Sequence, residues 1–193
     1  LLRYIASMKR PTIISTGGGS LEAVDRAVDI VTSEGAPLAV MQCTSGYPPQ
    51  FDELNLNVIA TFRERYPDAT IGYSGHDSGI AMGLVSYVLG ARIIEKHFTL
   101  NRAMKGTDHS FSLEPDGLRK MVRDLRRAHE ALGDGVKRAY ESEAAPLKKL
   151  SKMIVAKDDL ASGRVLSESD FDYRSPGHGI APADSGILVG KAL

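Results

Sequence analysis

Up to Gly133 the chain alternates between two hydrophobic periods. Short runs rich in Ile, Val and Thr read as strands, and runs with apolar residues three and four apart read as helices. The first strand is Thr12-Ile13-Ile14-Ser15. The helix after it is capped by Ser20, carries Val24, Ala27, Val28 and Val31 on one face, and stops at Gly35. Leu38 to Cys43 is the second strand; beyond the Pro48-Pro49 turn a helix is expected over Asp52 to Arg65, ended by Pro67. Thr70 to Ser74 is the third strand, followed by a helix over Ser78 to Leu89 that Gly90 closes. Arg92 to Phe98 is the fourth. A long loop then leads to Pro115, suited to the first turn of a helix whose stripe is Leu118, Met121, Val122, Leu125 and Leu132.

Four successive βα units imply parallel strands with helical crossovers. Two α/β architectures accommodate them: a doubly wound open sheet, or half of a (β/α)8 barrel. Both place ligands at the C-terminal ends of the strands. Polar residues gather there: Ser15 and Thr16, Thr44 and Ser45, Ser74 with His76, and Glu95 with His97. Beyond Gly133 the character changes. Lys137 to Lys152 is polar and charged, and reads as a linker or a poorly packed helix. From Met153 onward, Met153–Ala156, Gly163–Leu166 and Ser175–Ile180 alternate with Gly/Pro turns and predict a small β-rich second domain.

Composition narrows the function classes. Lys+Arg and Asp+Glu number 24 each, so the whole chain carries no basic footprint for nucleic acid. No apolar run approaches the roughly 18 residues of a membrane-spanning helix. Cys43 is the one cysteine, which excludes an intrachain disulfide framework and fits a reducing cytoplasm. Within its strand it reads as a small buried hydrophobe rather than a nucleophile. The opening Leu1-Leu2-Arg3-Tyr4 has neither an initiator Met nor a signal-peptide pattern, and the chain is expected to be part of something longer.

The candidate chemistry sits at the strand ends. Alternation along the fourth strand puts Ile93, Glu95 and His97 on one face. His76 ends the neighbouring strand, and adjacent strands lie about 4.8 Å apart. Two neutral imidazoles so placed can share one divalent ion that polarises a substrate oxygen; the competing reading is two strand-end hydrogen bonds. Gly17-Gly18-Gly19-Ser20 opens a helix and can hold an anion on backbone N–H groups, though such a run also serves simply as a tight turn. Thr44-Ser45-Gly46-Tyr47-Pro48 offers hydroxyls and an aromatic to a polyol, or is an ordinary turn. Asp108-His109-Ser110 lies in the loop after the fourth strand and faces the same end, where His109 either touches substrate or is solvated. The basic run from Arg119 to Arg127 reads as a wet helix face.

Taken in order, these motifs are specific. Ile14-Ser15-Thr16-Gly17, Gln42-Cys43-Thr44-Ser45-Gly46-Tyr47-Pro48, Gly72-Tyr73-Ser74-Gly75-His76, Ile94-Glu95-Lys96-His97-Phe98-Thr99 and Lys105 to Pro115 follow one another. The series resembles the sialic acid synthase family, whose members condense phosphoenolpyruvate with an N-acetylated hexosamine. The resemblance covers nearly the whole chain. It implies that 1–136 is the second half of a TIM barrel (strands five to eight), 137–152 a linker, and 153–193 an incomplete antifreeze-like (SAF) domain.

The resemblance also implies roles. His76 and His97 match the family's metal-binding histidines, for manganese or another divalent ion such as Mg2+ or Co2+. Glu95 matches an acidic residue beside them, and the three together are the expected catalytic group. Ser15 and Ser74 match hydroxyls near phosphoenolpyruvate, and Ser45 and Tyr47 match substrate contacts at the sixth strand end. A cytoplasmic enzyme is expected, forming a domain-swapped homodimer at full length, with no nucleic-acid or membrane partner. Two departures bear on the sugar. Many bacterial members read Ser-Asp-His where this chain has Ser74-Gly75-His76. The family's Arg-Pro-Gly-Asn-Gly becomes Ser175-Pro176-Gly177-His178-Gly179, with Arg174, the candidate for the acetamido group, displaced by one position. N-acetylmannosamine is the expected acceptor. The alternatives are the acceptors for legionaminic acid, pseudaminic acid or sialic acid 9-phosphate, or a non-catalytic sugar- or phosphate-binding relative.

Overall fold

In the computed structural model, which describes residues 1–193, the chain divides into two units, Leu1–Asp134 and Gly135–Leu193. The first begins with a short helix, α1 (Leu2–Ser7), and then follows the expected alternation. Its strands are β1 (Thr12–Ser15), β2 (Leu38–Cys43), β3 (Thr70–Gly75) and β4 (Ile93–Lys96). They pair in parallel, in the order β1-β2-β3-β4. A doubly wound sheet reverses direction partway, so this unbroken order selects the barrel-like alternative. Right-handed crossovers that always step the same way leave every helix on one face of the sheet.

That helix face holds the core. Val24, Val28 and Val31 of α2 (Leu21–Ser33) pack with Leu38 and Val40 of β2. Ile59 and Phe62 of α3 (Val58–Arg65) pack with Ile71 and Tyr73 of β3. Ser20 caps α2 as expected, its hydroxyl accepting from the Ala23 N–H at 3.4 Å. Gly35 follows the last turn at φ +72°, where a side chain would be strained. α4 (Ala81–Val88) and α5 (Pro115–Leu132) complete the layer, with Pro115 in the first turn of α5. Of the α5 stripe only Met121 is fully buried; Val122 and Leu132 are exposed.

Three boundaries differ from expectation by more than one residue. The helix over Asp52 to Arg65 is two pieces, a 3-10 turn over Phe51–Leu54 and then α3, because Asn55 takes the left-handed conformation at φ +41° and breaks the ladder. The helix expected from Ser78 starts only at Ala81, after Gly79 turns the chain at φ +94°. β4 ends at Lys96 rather than Phe98, although Phe98 makes one further parallel bridge to Leu113.

The second unit holds a 3-10 turn (Glu141–Glu143), a helix α6 (Ala144–Leu150) that buries no residue, and one antiparallel pair, β5 (Met153–Ala156) with β6 (Phe171–Arg174). The runs 163–166 and 175–180 are not strands; only Val165 forms an isolated bridge, to Ala192. Leu166 and Phe171 are its buried apolar residues. A polar anchor supports them. Asp170 is buried and accepts from Arg164 at 2.6 Å and from the Ser167 N–H and hydroxyl at 2.9 Å each. The Arg164 bond, then those from Ser167, hold its carboxyl below the usual range.

Candidate functional site

The face of the first unit's sheet opposite the helices carries the polar strand ends. Period-two alternation assigns Ser15, Cys43, Ser74 and Glu95 to that face and Ile14, Gln42, Tyr73 and Lys96 to the helix side. Register places Cys43 beside Ser74 and Ser74 beside Glu95. Ser74 donates its hydroxyl to Glu95 Oε1 at 2.7 Å. Ser74 is buried and Glu95 is exposed, so the bond aims a carboxylate outward from a fixed base.

Beyond these residues the two histidines meet. The His76 and His97 rings lie 5.0 Å apart, centroid to centroid, at 68°. Tyr47 packs on His76 at 4.4 Å and faces His97 edge-on at 6.2 Å. His76 Nδ1 lies 2.9 Å from the Thr44 carbonyl, an acceptor that fixes the N–H on Nδ1 and leaves Nε2 as a lone-pair donor. That backbone tether is the usual way a metal-ligating imidazole is oriented. His97 Nδ1 lies 3.5 Å from Asp108 Oδ2. Two imidazole nitrogens are what this site could offer a divalent ion, and no group of three or more His, Cys, Asp or Glu side chains that could hold a metal ion is found in the chain.

Ser45 and Ser15 lie at the neighbouring strand ends, both exposed. Ser45 sits over the glycine run: a Cβ on Gly17 would fall 2.0 Å from Ser45 Oγ and 3.0 Å from Cys43 Sγ. The glycine is thus explained by the hydroxyl above it. A cavity of about 600 Å³ opens beside these ends, lined by Thr16, Gly19, Cys43, Ser45 and Glu53 among others, and reaches neither histidine. Cys43 itself is a buried free thiol. Arg174 belongs to the second unit, at the end of β6, where it is exposed and donates Nε to Asp172 at 2.8 Å.

The roles of four residues, Phe111, Asp108, Asp77 and Lys96, escape a reading of the sequence. Phe111, in the polar loop before α5, is 1% exposed and packs on His97 at 5.1 Å and His76 at 6.2 Å. An aromatic within the polar run Thr107 to Ser112 was the available signal. Asp108 turns to His97, whereas His109, for which the sequence offered a substrate contact or a solvated side chain, binds the Thr99 hydroxyl at 2.7 Å. Asp77 and Lys96 form a buried ion pair on the helix side.

The first unit is thus an α/β half-barrel that gathers histidine, carboxylate and hydroxyl groups at its strand ends. The NeuB family profile matches residues 1–137, and the chain belongs to the NeuB family. It is 38% identical to N-acetylneuraminate-9-phosphate synthase of Homo sapiens, over 100% of this chain and 54% of that protein. It is 35% identical to N,N'-diacetyllegionaminic acid synthase of Campylobacter jejuni, over 98% of this chain and 58% of that protein. Among solved structures, the N-acetylneuraminic acid (sialic acid) synthetase of Leptospira borgpetersenii in complex with citrate superposes with a TM-score of 0.68 at 34% identity, covering 76% of this chain and 51% of that one. The chain spans about half the length of the curated relatives it matches. No helix is long and apolar enough to cross a membrane.

Proposed function

We propose that the protein carrying this chain is a nonulosonic acid synthase that condenses phosphoenolpyruvate with N-acetylmannosamine, releasing phosphate and forming N-acetylneuraminate. The observation that carries this reading is the pairing of His76 with His97 beside the Ser74–Glu95 hydrogen bond, in a chain of the NeuB family. C3 of phosphoenolpyruvate adds to the aldehyde carbon of the open-chain sugar, C2 gains oxocarbenium character, water adds at C2, and phosphate leaves by C–O cleavage. A divalent ion such as Mn2+ on His76 and His97 would polarise the aldehyde oxygen.

The chain's own residues have distinct parts. Thr44 holds His76 in one tautomer. Tyr47 and Phe111 pack against both imidazoles and against each other, and the buried Phe111 ring backs the pair. Glu95, with one oxygen engaged by Ser74, presents the other to a sugar hydroxyl. Ser15 and Ser45 offer hydroxyls to phosphoenolpyruvate and the sugar. Arg174 is the proposed donor to the acetamido oxygen, within a homodimer of the full-length protein.

Phosphate release from phosphoenolpyruvate tests the reading, assayed with N-acetylmannosamine and separately with its 6-phosphate. Release that needs both the sugar and a divalent ion, and that falls at least about a hundredfold in His76→Ala and His97→Ala, is the expected result. No release with any N-acetylated hexosamine would point to a binding relative instead. Faster release with the 6-phosphate would place the protein with the 9-phosphate synthases.

A further inference from the structure

On the helix side of the sheet lies a buried charged cluster that the proposed reaction does not use. Lys96 Nζ is 2.9 Å from Asp77 Oδ1 and also donates to the Asp77 carbonyl, and the two side chains are 2% and 1% exposed. Tyr73 donates its phenol to the same Oδ1 at 2.7 Å. Burial, reinforced by that carboxylate, raises the Tyr73 pKa far above the usual phenol value, so it stays a donor. Asp77 Oδ2 is buried with no hydrogen-bond partner.

A buried ion pair is costly to desolvate, and apolar side chains of similar volume often serve stability as well or better. An orphaned carboxylate oxygen adds to that cost. Stability alone is therefore a poor account of this cluster. Its place in the chain says more. Asp77 directly follows His76, and Lys96 directly precedes His97. Lys96 grips both the carboxylate and the backbone carbonyl of residue 77, so the end of β4 is fastened to the loop after β3, one residue from each imidazole. Gly75 makes room for this. A Cβ there would fall 2.5 Å from the Tyr73 ring and 2.6 Å from Asp77 Oδ1. The departure Ser74-Gly75-His76 is thus tied to a carboxylate supplied two residues later, at Asp77.

We propose that the Asp77–Lys96 pair, steadied by Tyr73, is a positioning device that sets the spacing of His76 and His97 and with it their affinity for a divalent cation. The inference rests on the metal reading above, and its test separates the two. Mn2+ is titrated calorimetrically into the intact protein and its variants, with thermal unfolding measured alongside. Asp77→Leu/Lys96→Met removes both charges together and leaves no buried charge unpaired. It is expected to unfold near the wild-type temperature yet bind Mn2+ about tenfold more weakly or worse, the loss usual when groups orienting a metal-bound histidine are removed. Tyr73→Phe keeps the buried ring, removes one hydrogen bond, and is expected to show a smaller loss in the same direction. His97→Ala is expected to abolish saturable binding. Wild-type Mn2+ affinity in the double variant, or in Tyr73→Phe should the double variant not fold, overturns the positioning role if His97→Ala has lost the ion. Saturable Mn2+ binding in His97→Ala overturns the metal reading itself.

Discussion

Gly17 shows how one missing side chain can shape a site. Its Cβ position is already filled by the Ser45 hydroxyl, 2.0 Å away. Gly17→Ala must push Ser45 aside, and overpacking of this kind costs about 1–3 kcal/mol. The expected result is a lower unfolding midpoint together with a raised KM for the amino sugar. Adding Ser45→Ala should restore the midpoint but not the KM, which chemical denaturation and steady-state kinetics read separately. Arg174 makes a contrasting case. It is exposed, and its one ion pair, to Asp172, is a surface pair that contributes little to stability. Arg174→Ala should leave the unfolding midpoint within error while raising the KM for the amino sugar several-fold. An unchanged KM would remove Arg174 from the site.

Between elements, the first unit depends on a polar strut as well as on its core. Asp25 of α2 accepts both Nε and Nη2 of Arg65 at 2.6 Å, and the Tyr66 hydroxyl at 2.7 Å, which pins α2 to the end of α3. The Arg65 bonds, then the Tyr66 bond, hold the Asp25 carboxyl down at about 2. Because this folded value lies below the unfolded one, the unfolded chain binds the proton first as pH falls. The contribution is complete above about pH 4 and is lost as pH drops through about 2. Asp25→Asn should lower stability at neutral pH and flatten the acid limb between those values, followed by far-UV circular dichroism. An acid limb as steep as wild type would show that Asp25 is not a source of the pH dependence.

At the level of the first unit's sheet, β1 and β4 are edges, each paired on one side only. Ile13 and Phe98, on and just beyond them, are 55% and 51% exposed. Unpaired strand edges with exposed apolar residues favour pairing with another chain. Sedimentation velocity of the 193-residue chain should therefore show self-association that grows with concentration, reduced by Ile13→Lys. A monomer at every concentration would show that the edges are protected in solution.

Much of this architecture was legible from the period of the apolar residues. Strand pleat and helical pitch impose spacings of two and of three to four, so β1 to β4, the Ser20 cap and the Gly35 stop could be placed without coordinates. The motif order pointed to the family. Local conformations carry weaker marks: the left-handed Asn55 split a helix that apolar spacing alone runs together. What no period encodes is contact between distant segments. The sheet order that separates a half-barrel from a doubly wound sheet depends on how crossovers pack. The Thr44 carbonyl that selects the His76 tautomer is a backbone atom and has no signature in the residue alphabet. Phe111 comes from a loop without regular periodicity, and the Asp77–Lys96 pair from charged positions at strand ends. They are buried only because the chain folds back on itself, where desolvation makes their few contacts decisive.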